Sequence, residues 1–438
     1  MSAVTVGIIG LLGFLVVLFT GIPVSFAMLI VGFIGTSVLR SPSAAFGIVN
    51  SCFTGTFSSY TTSVVPMFTL MGVIAGYSGI SSGLINTFNA FFGHRRGGVA
   101  MGVQGICAAF GAVCGSIPAT LATVGKIAYP DMKRLGYDDK LSTGCLCAGS
   151  TLAVLIPPSL TCITYSMVTE ESIGKLFISV IPTGITLMLL YMICVKIWAT
   201  VVPGAAPQGE KKTAKEKWEA VKHGSIIEVV IVFAVAMGGL FAGFFTATEA
   251  GAVGTLGIFF VTVFTRKLDI HKLISSIVET LRLTVTVYFL LSCANVYGKF
   301  FSLTRIPYLV SEWVANSGMS AFMVMMMITV IYLILGMVID ANAMILLTIP
   351  VFYPLVTETL GLNGLWFGVY IVVVLGMALM SPPVAVCTYI MQGISKVKLQ
   401  KIFVGVVPFI VCNIIMCTLL VLFPNFFLFL TRLVYGGV

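Results

Sequence analysis

Two stretches of this 438-residue sequence decide its fold: IPPSLTCITYSMVTEESIGKLFISVIP at 156–182 and SPPVAVCTYIMQGISKVKLQKIFVGVVP at 381–408. Each contains a double proline after an apolar run and closes on a second apolar run with another proline. Proline lacks a backbone N–H and clashes with the preceding helical turn, so each stretch predicts an interrupted helix. A simple kink in a packed helix is the alternative for either proline pair taken alone.

The two stretches belong to a longer internal repeat. The pairs separated by 225 positions are Pro157/Pro382, Pro158/Pro383, Cys162/Cys387, Gly111/Gly336 and Gly32/Gly257; those separated by 226 are Lys175/Lys401, Phe177/Phe403 and Pro182/Pro408. A near-constant offset along the chain indicates an internal duplication. Because the helix break recurs at equivalent positions, it favours a discontinuous helix that forms a site over a kink.

Composition indicates that lipid is the solvent for much of the chain. Hydrophobic residues make up 58% of the sequence, charged residues only 9%, and the mean hydropathy is +1.10. A soluble protein carries about 25% charged residues, so we predict an all-α polytopic membrane protein. The net charge of +9 comes from basic clusters between apolar runs, which is the positive-inside pattern of a membrane protein rather than a nucleic-acid surface.

The types and positions of the reactive residues do not support an enzymatic function. Most of the eleven cysteines lie in apolar runs, and the three histidines, His94, His223 and His271, lie in basic segments. An intramembrane enzyme needs a nucleophile with a base, or a metal cluster, within its apolar segments. A purely structural scaffold would not explain duplicated helix breaks. We therefore predict a transporter and not an enzyme.

Apolar stretches run almost from end to end. They predict helices near 4–20, 22–39, 45–77, 80–92, 142–168, 175–201, 225–244, 248–265, 271–301, 306–316, 319–334, 364–394 and 402–431. The first of them lacks a basic segment before it and is interpreted as a membrane helix, not a signal peptide. The predicted parts are a first repeat at 1–202 with a hairpin near 100–130 and a broken helix at 142–168, a basic linker at 203–224, and a second repeat at 225–438 with a hairpin near 319–354 and a broken helix at 364–394.

The distribution of charge predicts the orientation. Basic segments at 94–96, 133–140, 203–224, 266–272 and 396–401 should be cytoplasmic, and the acidic or neutral loops at 169–171 and 357–359 should lie outside. The first repeat then ends inside and the second ends outside. If the repeats are inverted, both termini are periplasmic, and the substrate site lies at the repeat interface near the middle of the membrane.

Two segments near the breaks read as re-entrant hairpins. FGAVCGSIPAT at 110–120 is apolar, then small and polar, then broken by proline, and its counterpart at 336–354 has the tip Asp340-Ala341-Asn342. An acid in an uncharged membrane stretch costs several kcal/mol unless it is paired or coordinated, so Asp340 is a candidate ion ligand. A loop aspartate at the membrane surface is the alternative.

The tips offer carbonyl, hydroxyl and amide oxygens that suit a small hard cation, and half-helix N-termini that favour an anionic substrate. Glu249 is a weaker candidate, since an acid after threonine commonly caps a helix start. Glu279 and Arg282 are three residues apart on one predicted helix and are expected to pair.

Six motifs carry a family resemblance. They are PMFTLMGVIAGYSGI at 66–80, FGAVCGSIPATLATVG at 110–125, LIPPS at 155–159, SIGKLFISVIPTGI at 172–185, FFTATEAGAVGTLG at 244–257 and SPPVAVCTYIMQGISKV at 381–397. In order and over essentially the whole chain, they resemble the large membrane subunit of tripartite ATP-independent periplasmic (TRAP) transporters. A stand-alone sodium/carboxylate symporter of the same superfamily is the alternative.

The resemblance implies an ion-transporter-superfamily fold of two inverted repeats and an elevator cycle driven by sodium ions. It implies a bacterial inner-membrane location, a small four-helix membrane subunit, and a periplasmic binding protein that delivers an organic acid such as a C4-dicarboxylate or sialic acid. Sodium site 1 would comprise Gly115, Ser116, Thr120, Gly149, Ser150 and Thr151, and sodium site 2 would comprise Gly336, Asp340, Asn342, Met380 and Ser381. The expected substrate contacts are Ser116, Thr120, Pro157, Asn342 and Pro382.

Overall fold

The computed structural model describes residues 2–208, 211–223, 226–382 and 385–436, with the backbone alone at 80–82, 85, 86, 89, 223, 226 and 229. This part of the chain contains helices and no strand. The helices are α1 Ala3–Phe19, α2 Val24–Leu39, α3 Pro42–Ser58, α4 Val64–Tyr77, α5 Ile80–Phe92, α6 Gly98–Cys114, α7 Ile117–Arg134, α8 Asp139–Thr151, α9 Leu160–Thr169, α10 Ile173–Val201, α11 Ala214–His223, α12 Ile226–Phe241, α13 Ala247–Phe264, α14 Ile270–Leu303, α15 Ile306–Asn316, α16 Ala321–Leu335, α17 Ala341–Pro354, α18 Gly364–Met380, α19 Val386–Ser395, α20 Leu399–Leu422, α21 Pro424–Phe427 and α22 Phe429–Tyr435.

Helix lengths fall into two classes. Among the described residues five helical segments are long and apolar enough to cross a membrane, namely Ile173–Val201, Ala247–Phe264, Ile270–Leu303, Ala341–Thr359 and Leu399–Leu422. Seven others are apolar but only 10–17 residues long. At 1.5 Å per residue, 17 residues reach about 26 Å, short of a hydrocarbon core of about 30 Å. The predicted all-α polytopic class, with discontinuous helices, is confirmed.

Two predicted single helices are divided in the structure. The stretch 45–77 forms α3 and α4, which meet at an angle of 53° around a short 3-10 turn at Tyr60–Ser63, because Ser59 leaves the helical conformation at φ −75°, ψ 127°. The stretch 402–431 ends its long helix at Leu422, and Pro424 begins a new short helix. A proline fits the first turn of a helix better than its interior, which explains the second division.

Two helices form the centre of the molecule. Every residue of α18, and every residue of α8 from Leu141 onward, is buried. α8 packs against α6, α7 and α20, while α18 packs against α10, α16 and α20. α14 belongs to a different group and packs along α2, α3 and α4. α18 is apolar all round, whereas α8 carries buried hydroxyl groups, and other helices enclose both.

The same close contact occurs in both halves of the chain. A Cβ at Gly111 would lie 2.4 Å from the Cα of Ala153, and a Cβ at Gly336 would lie 2.6 Å from the Cβ of Ala378. Both partners of the second contact lie 225 positions after those of the first. Because these residues are small, α6 lies directly against the backbone that follows α8, and the end of α16 lies directly against α18. Small residues allow such close approach between membrane helices.

The basic linker contains α11, whose start is fixed by a capping box. The Thr213 backbone N–H donates to Glu216 Oε2 at 2.7 Å, and Glu216 N donates back to Thr213 Oγ1 at 3.3 Å. The hydrogen bonds from the Thr213 backbone and hydroxyl hold the pKa of Glu216 below its ordinary value. α11 packs against α5, where Thr87 Oγ1 donates to the Ala220 carbonyl at 2.8 Å.

Candidate functional site

The first hairpin turns at Gly115. This glycine ends α6 with φ +63°, and its N–H donates to the Gly111 carbonyl at 2.7 Å. Its own carbonyl accepts from Leu160 N at 3.4 Å, and a Cβ there would lie 2.7 Å from the Pro158 carbonyl oxygen. The tip of the hairpin is therefore seated on the break between α8 and α9.

Hydroxyl groups follow the turn. Ser116 is half-buried and extended, and its side chain makes no capping hydrogen bond to α7. Thr120, one turn further, is fully buried, and its hydroxyl lies beside the Cys114 thiol at the end of α6. Pro157 is buried in the facing break. Apart from the Cys114 thiol, Thr120 Oγ1 has no hydrogen-bond partner among the described residues, which leaves an acceptor oxygen for a ligand.

The remaining predicted ligands of sodium site 1 lie on α8. Gly149 lies beside Cys107, where a Cβ would be 3.0 Å from the Cys107 Sγ, and Cys107 precedes Gly115 by eight residues, or about 12 Å of helix. Ser150 Oγ donates to the Cys147 carbonyl at 2.7 Å, and Thr151 Oγ1 donates to the Ala148 carbonyl at 2.7 Å. The structure brings Gly115, Ser116 and Thr120 together at the tip, whereas Gly149 lies beside the part of α6 near Cys107.

The second tip is the start of α17. Asp340 is its N-cap, and Asp340 Oδ1 accepts from Asn342 N at 3.0 Å and from Ala343 N at 3.3 Å. The Asp340 side chain is exposed. Capping therefore uses one carboxylate oxygen of Asp340.

Three other residues of the predicted sodium site 2, Gly336, Met380 and Ser381, lie at or beside the end of α18. Gly336 lies against Ala378, and Ser381 N donates to the Ala378 carbonyl at 3.2 Å. Ser381 Oγ donates to the Met377 carbonyl at 2.7 Å, Met380 is fully buried, and Pro382 is half-buried. Gly336, Met380 and Ser381 are thus neighbours. Pro383 of the second double proline lies outside the described residues.

One hydrogen bond joins the two halves beside the second tip. Thr164 Oγ1 on α9 donates to Asn342 Oδ1 on α17 at 3.2 Å. Both side chains lie within one turn of a helix start, and α9 packs along α17 much as α7 packs along α19. Asn342 therefore lies between the second hairpin and the first broken helix.

A cavity of 1020 Å³ lies one turn beyond this pair. Leu346 on α17 and Ser166 on α9 line it, together with parts of α3 and α14. This volume lies just above the usual range of small-molecule sites, which is about 300–1,000 Å³. Among the described residues no three His, Cys, Asp or Glu side chains group as a metal centre. The cavity is lined by residues of α9, α14 and α17 and by none of the tip residues named above.

The sequence matches a known protein family over nearly its whole length. The family model described as "Tripartite ATP-independent periplasmic transporter, DctM component" matches residues 11–426. The chain belongs to this family. The permease is accordingly a transporter subunit and not an enzyme, as its sequence predicted.

Relatives of the permease differ in their named substrates. It is 30% identical over 89% of its length to the C4-dicarboxylate TRAP transporter large permease protein DctM of Pseudomonas aeruginosa, of which the match covers 90%. It is 28% identical over 97% of its length to the sialic acid TRAP transporter large permease protein SiaM of Vibrio cholerae, covering 98% of that protein. It is 31% identical over 85% of its length to the ectoine permease TeaC of Halomonas elongata, covering 86%.

The crystal structure of the Alcanivorax borkumensis YdaH transporter shares the fold. It aligns with a TM-score of 0.61 over 87% of the permease and 89% of that chain, at 12% sequence identity. At this level of identity the likeness extends to the fold alone.

Two other predicted acidic sites can now be assigned. Glu249 forms a capping box with Thr246 at the start of α13, as expected of a helix cap. The predicted Glu279–Arg282 pair is wrong, because the ion pairs of the described residues are Arg134–Asp131 and Lys212–Glu216. Glu279 Oε2 instead accepts from the Tyr77 hydroxyl at 2.7 Å, which links α14 to α4.

Sequence reasoning missed Thr164 and Lys299. Thr164 stands one turn after the start of α9, and its signal was a hydroxyl close behind the double proline. Lys299 lines the cavity from within α14, and an ionisable residue in a long apolar helix is a functional candidate by default.

Replacing Gly115 by alanine should destabilise the permease because of the contact with Pro158. Gly21 is the matched control, since it has φ +83° with no atom within 4 Å of a Cβ. Both variants bear the left-handed penalty of about 1–2 kcal/mol, but only Gly115→Ala adds an overpacking cost of about 1–3 kcal/mol. Thermal unfolding in detergent should show a lower midpoint for Gly115→Ala than for Gly21→Ala. Equal midpoints would mean that the tip is not seated on the break.

Proposed function

We propose that the permease carries out sodium-coupled uptake of a small organic acid by an elevator mechanism. The supporting observation is the repeated arrangement of a hairpin on the backbone of a broken or central helix, at Gly111–Ala153 and again at Gly336–Ala378. Discontinuous helices in related repeats are the usual setting of ion and substrate sites in secondary transporters. The two halves in this proposal are residues 1–202 and 225–438.

The proposed substrate is a carboxylate such as a C4-dicarboxylate or sialic acid. Relatives named for these solutes share 28–30% of their residues with the permease. The substrate would lie between the tips, where Ser116, Thr120 and Asn342 offer polar contacts and the breaks at Pro157 and Pro382 close the site. Half-helix N-termini at α7 and α17 would favour its negative charge.

Sodium would bind on either side of this substrate position. The proposed site 1 uses Ser116 and Thr120 at the first tip, with Ser150 and Thr151 as further oxygen ligands. The proposed site 2 uses the carboxylate of Asp340 and the oxygens around Gly336 and Ser381. Hydroxyl, carbonyl and carboxylate oxygens are the ligands that hard cations prefer.

The proposed partners are a small four-helix membrane subunit and a periplasmic binding protein. Proteoliposomes that contain all three proteins should accumulate the solute when a sodium gradient is imposed. Vesicles that contain the permease alone should show no uptake above protein-free vesicles, because the loaded binding protein would be missing. Robust uptake by the permease alone would instead support the stand-alone symporter.

The proposed location is the bacterial inner membrane, with the linker in the cytoplasm and both termini in the periplasm. A cysteine at Lys212, which is exposed beside α11, should react with an impermeant maleimide only after the cells are opened. The basic residues of the linker retain it inside. A cysteine at Ser2, which is exposed at the start of α1, provides the opposite control and should react in intact cells. Labelling of Lys212→Cys in intact cells would reverse the proposed orientation.

Asp340→Asn should weaken the coupling to sodium while leaving the fold intact. Asparagine caps a helix about as well as aspartate, so the start of α17 should survive. The Coulomb energy lost is roughly 4 kcal/mol at 4 Å and an effective dielectric of 20, partly offset by desolvation. A net loss of about 1–3 kcal/mol would raise the half-saturating sodium concentration about 5- to 150-fold.

Asp269→Asn is the matched control for this variant. Asp269 also caps a helix, accepting from Lys272 N at 2.8 Å, but it lies in a basic connector far along the chain from the tips. The measurement is the sodium dependence of uptake in proteoliposomes with all three components. If Asp340→Asn and Asp269→Asn give the same sodium dependence as the unaltered protein, Asp340 is a helix cap and not an ion ligand.

A further inference from the structure

The 1020 Å³ cavity has two chemically different walls. One wall comes from α3 and α14 and carries Asn295, Lys299 and Ser302. The other comes from the connector between α9 and α10, with Glu170 and Glu171, and from α17, with Tyr353. None of the residues proposed above for substrate or sodium is among those that line it. The cavity is thus a separate compartment beside the hairpin tips.

Lys299 is the lysine of this compartment. Asn295, Lys299 and Ser302 are spaced by four and three residues, so they share one face of α14, and all three are exposed. The Lys299 ammonium lies beside the Cys52 thiol of α3. Lys299 forms no ion pair among the described residues, whose ion pairs are Arg134–Asp131 and Lys212–Glu216. A positive charge on a cavity wall therefore lacks a carboxylate counterpart.

One of the two acids of the cavity, Glu171, is held on the connector wall. Glu171 Oε1 accepts from the Tyr353 hydroxyl at 2.8 Å and lies against Gly364, so it ties the connector to α17 and α18. Glu170 ends α9 in the left-handed conformation at φ 60° and is exposed. Among the described residues neither carboxylate forms an ion pair with Lys299, so the α14 wall carries one positive side chain and the connector wall carries two negative ones.

The compartment leads to the second tip. Leu346 lies one helical turn after Asn342 on α17, and Ser166 lies two residues after Thr164 on α9. The Asn342–Thr164 hydrogen bond therefore lies between the cavity and the second hairpin tip. Gly298 brings α14 close to this route, since a Cβ there would be 3.7 Å from Pro350.

We propose that Lys299 binds the carboxylate of the solute in this cavity, as a position separate from the site between the hairpin tips. Asn295 would supply a further hydrogen-bond donor on the same face of α14, whereas the Ser302 hydroxyl already donates to the Gly298 carbonyl at 3.0 Å. The cavity is large enough for a small organic acid with water around it. This proposal rests on the proposed transport of organic acids, and it adds an outer binding position on α14, in the helix group of α2–α4.

The local potential can be tested without transport. Ser302→Cys places a thiol one turn from Lys299 on the cavity wall. The measured quantity is the rate of modification by an anionic methanethiosulfonate divided by the rate with a cationic one, in the purified full-length chain. This ratio should be higher for Ser302→Cys alone than for Ser302→Cys combined with Lys299→Gln. The expected fall in the rate ratio is roughly three- to tenfold for loss of one nearby charge. Reaction of the protein without Ser302→Cys is subtracted as background.

Two variants separate a local effect from a general one. Lys401→Gln removes the same charge from an exposed position outside the cavity and should leave the rate ratio unchanged. Lys299→Arg keeps the charge and should restore the ratio. A ratio that does not respond to Lys299→Gln, or that responds equally to Lys401→Gln, would overturn the proposal.

Ligand binding is tested with succinate as the probe. Succinate should slow modification of Ser302→Cys by the cationic reagent, and its uncharged analogue succinamide should not. Protection should disappear with Lys299→Gln and remain with Lys401→Gln. Absence of protection by succinate, or equal protection by succinamide, would overturn the proposed site. These measurements use no sodium gradient and no partner protein, so failure of uptake in proteoliposomes would count against the proposed function alone.

Discussion

The permease depends on one constraint, that every backbone group freed by a helix break must be satisfied inside the protein. Water cannot reach such groups in the hydrocarbon region, and each one left unsatisfied costs several kcal/mol. At the first break the solution is the hairpin tip: the Gly115 carbonyl accepts from Leu160 N, and Gly115 itself packs on the Pro158 carbonyl. The polar, irregular backbone that a solute needs is thereby held in a fixed arrangement.

Close approach of small residues makes this arrangement possible twice. Gly111 and Gly336 let the hairpins contact the backbone beside α8 and α18, and Gly144 admits the Gly405 carbonyl, which would lie 2.1 Å from a Cβ. The enclosed helix α8 of the first half packs on α20, which follows the broken helix of the second half. Likewise α18 of the second half packs on α10, which follows the broken helix of the first half. The halves are consequently interlocked through their centres and are not joined at an edge.

The sequence predicted those features that local chemistry determines. The proline pairs, the glycines at a 225-residue offset and the apolar runs sufficed for the helix breaks, the hairpin tips and the membrane class. Features set by tertiary packing were missed or wrong: the bend at Ser59, the Asn342–Thr164 bond, and the partner of Glu279, which is Tyr77. Spacing along one helix suggested Arg282, whereas a neighbouring helix supplied the hydrogen bond.

The positions of α9 and α17 connect the breaks to the cavity. Both helices begin at a tip or a break, cross the Asn342–Thr164 contact and then line the compartment that Lys299 enters from α14. α14 packs with α2, α3 and α4 and also along α17, while α9 and α17 both contact the enclosed helix α18. Because α14 also packs along α17, and α4 along α6 and α9, any displacement of α2–α4 and α14 relative to the hairpins would have to exchange these contacts as well as change the cavity.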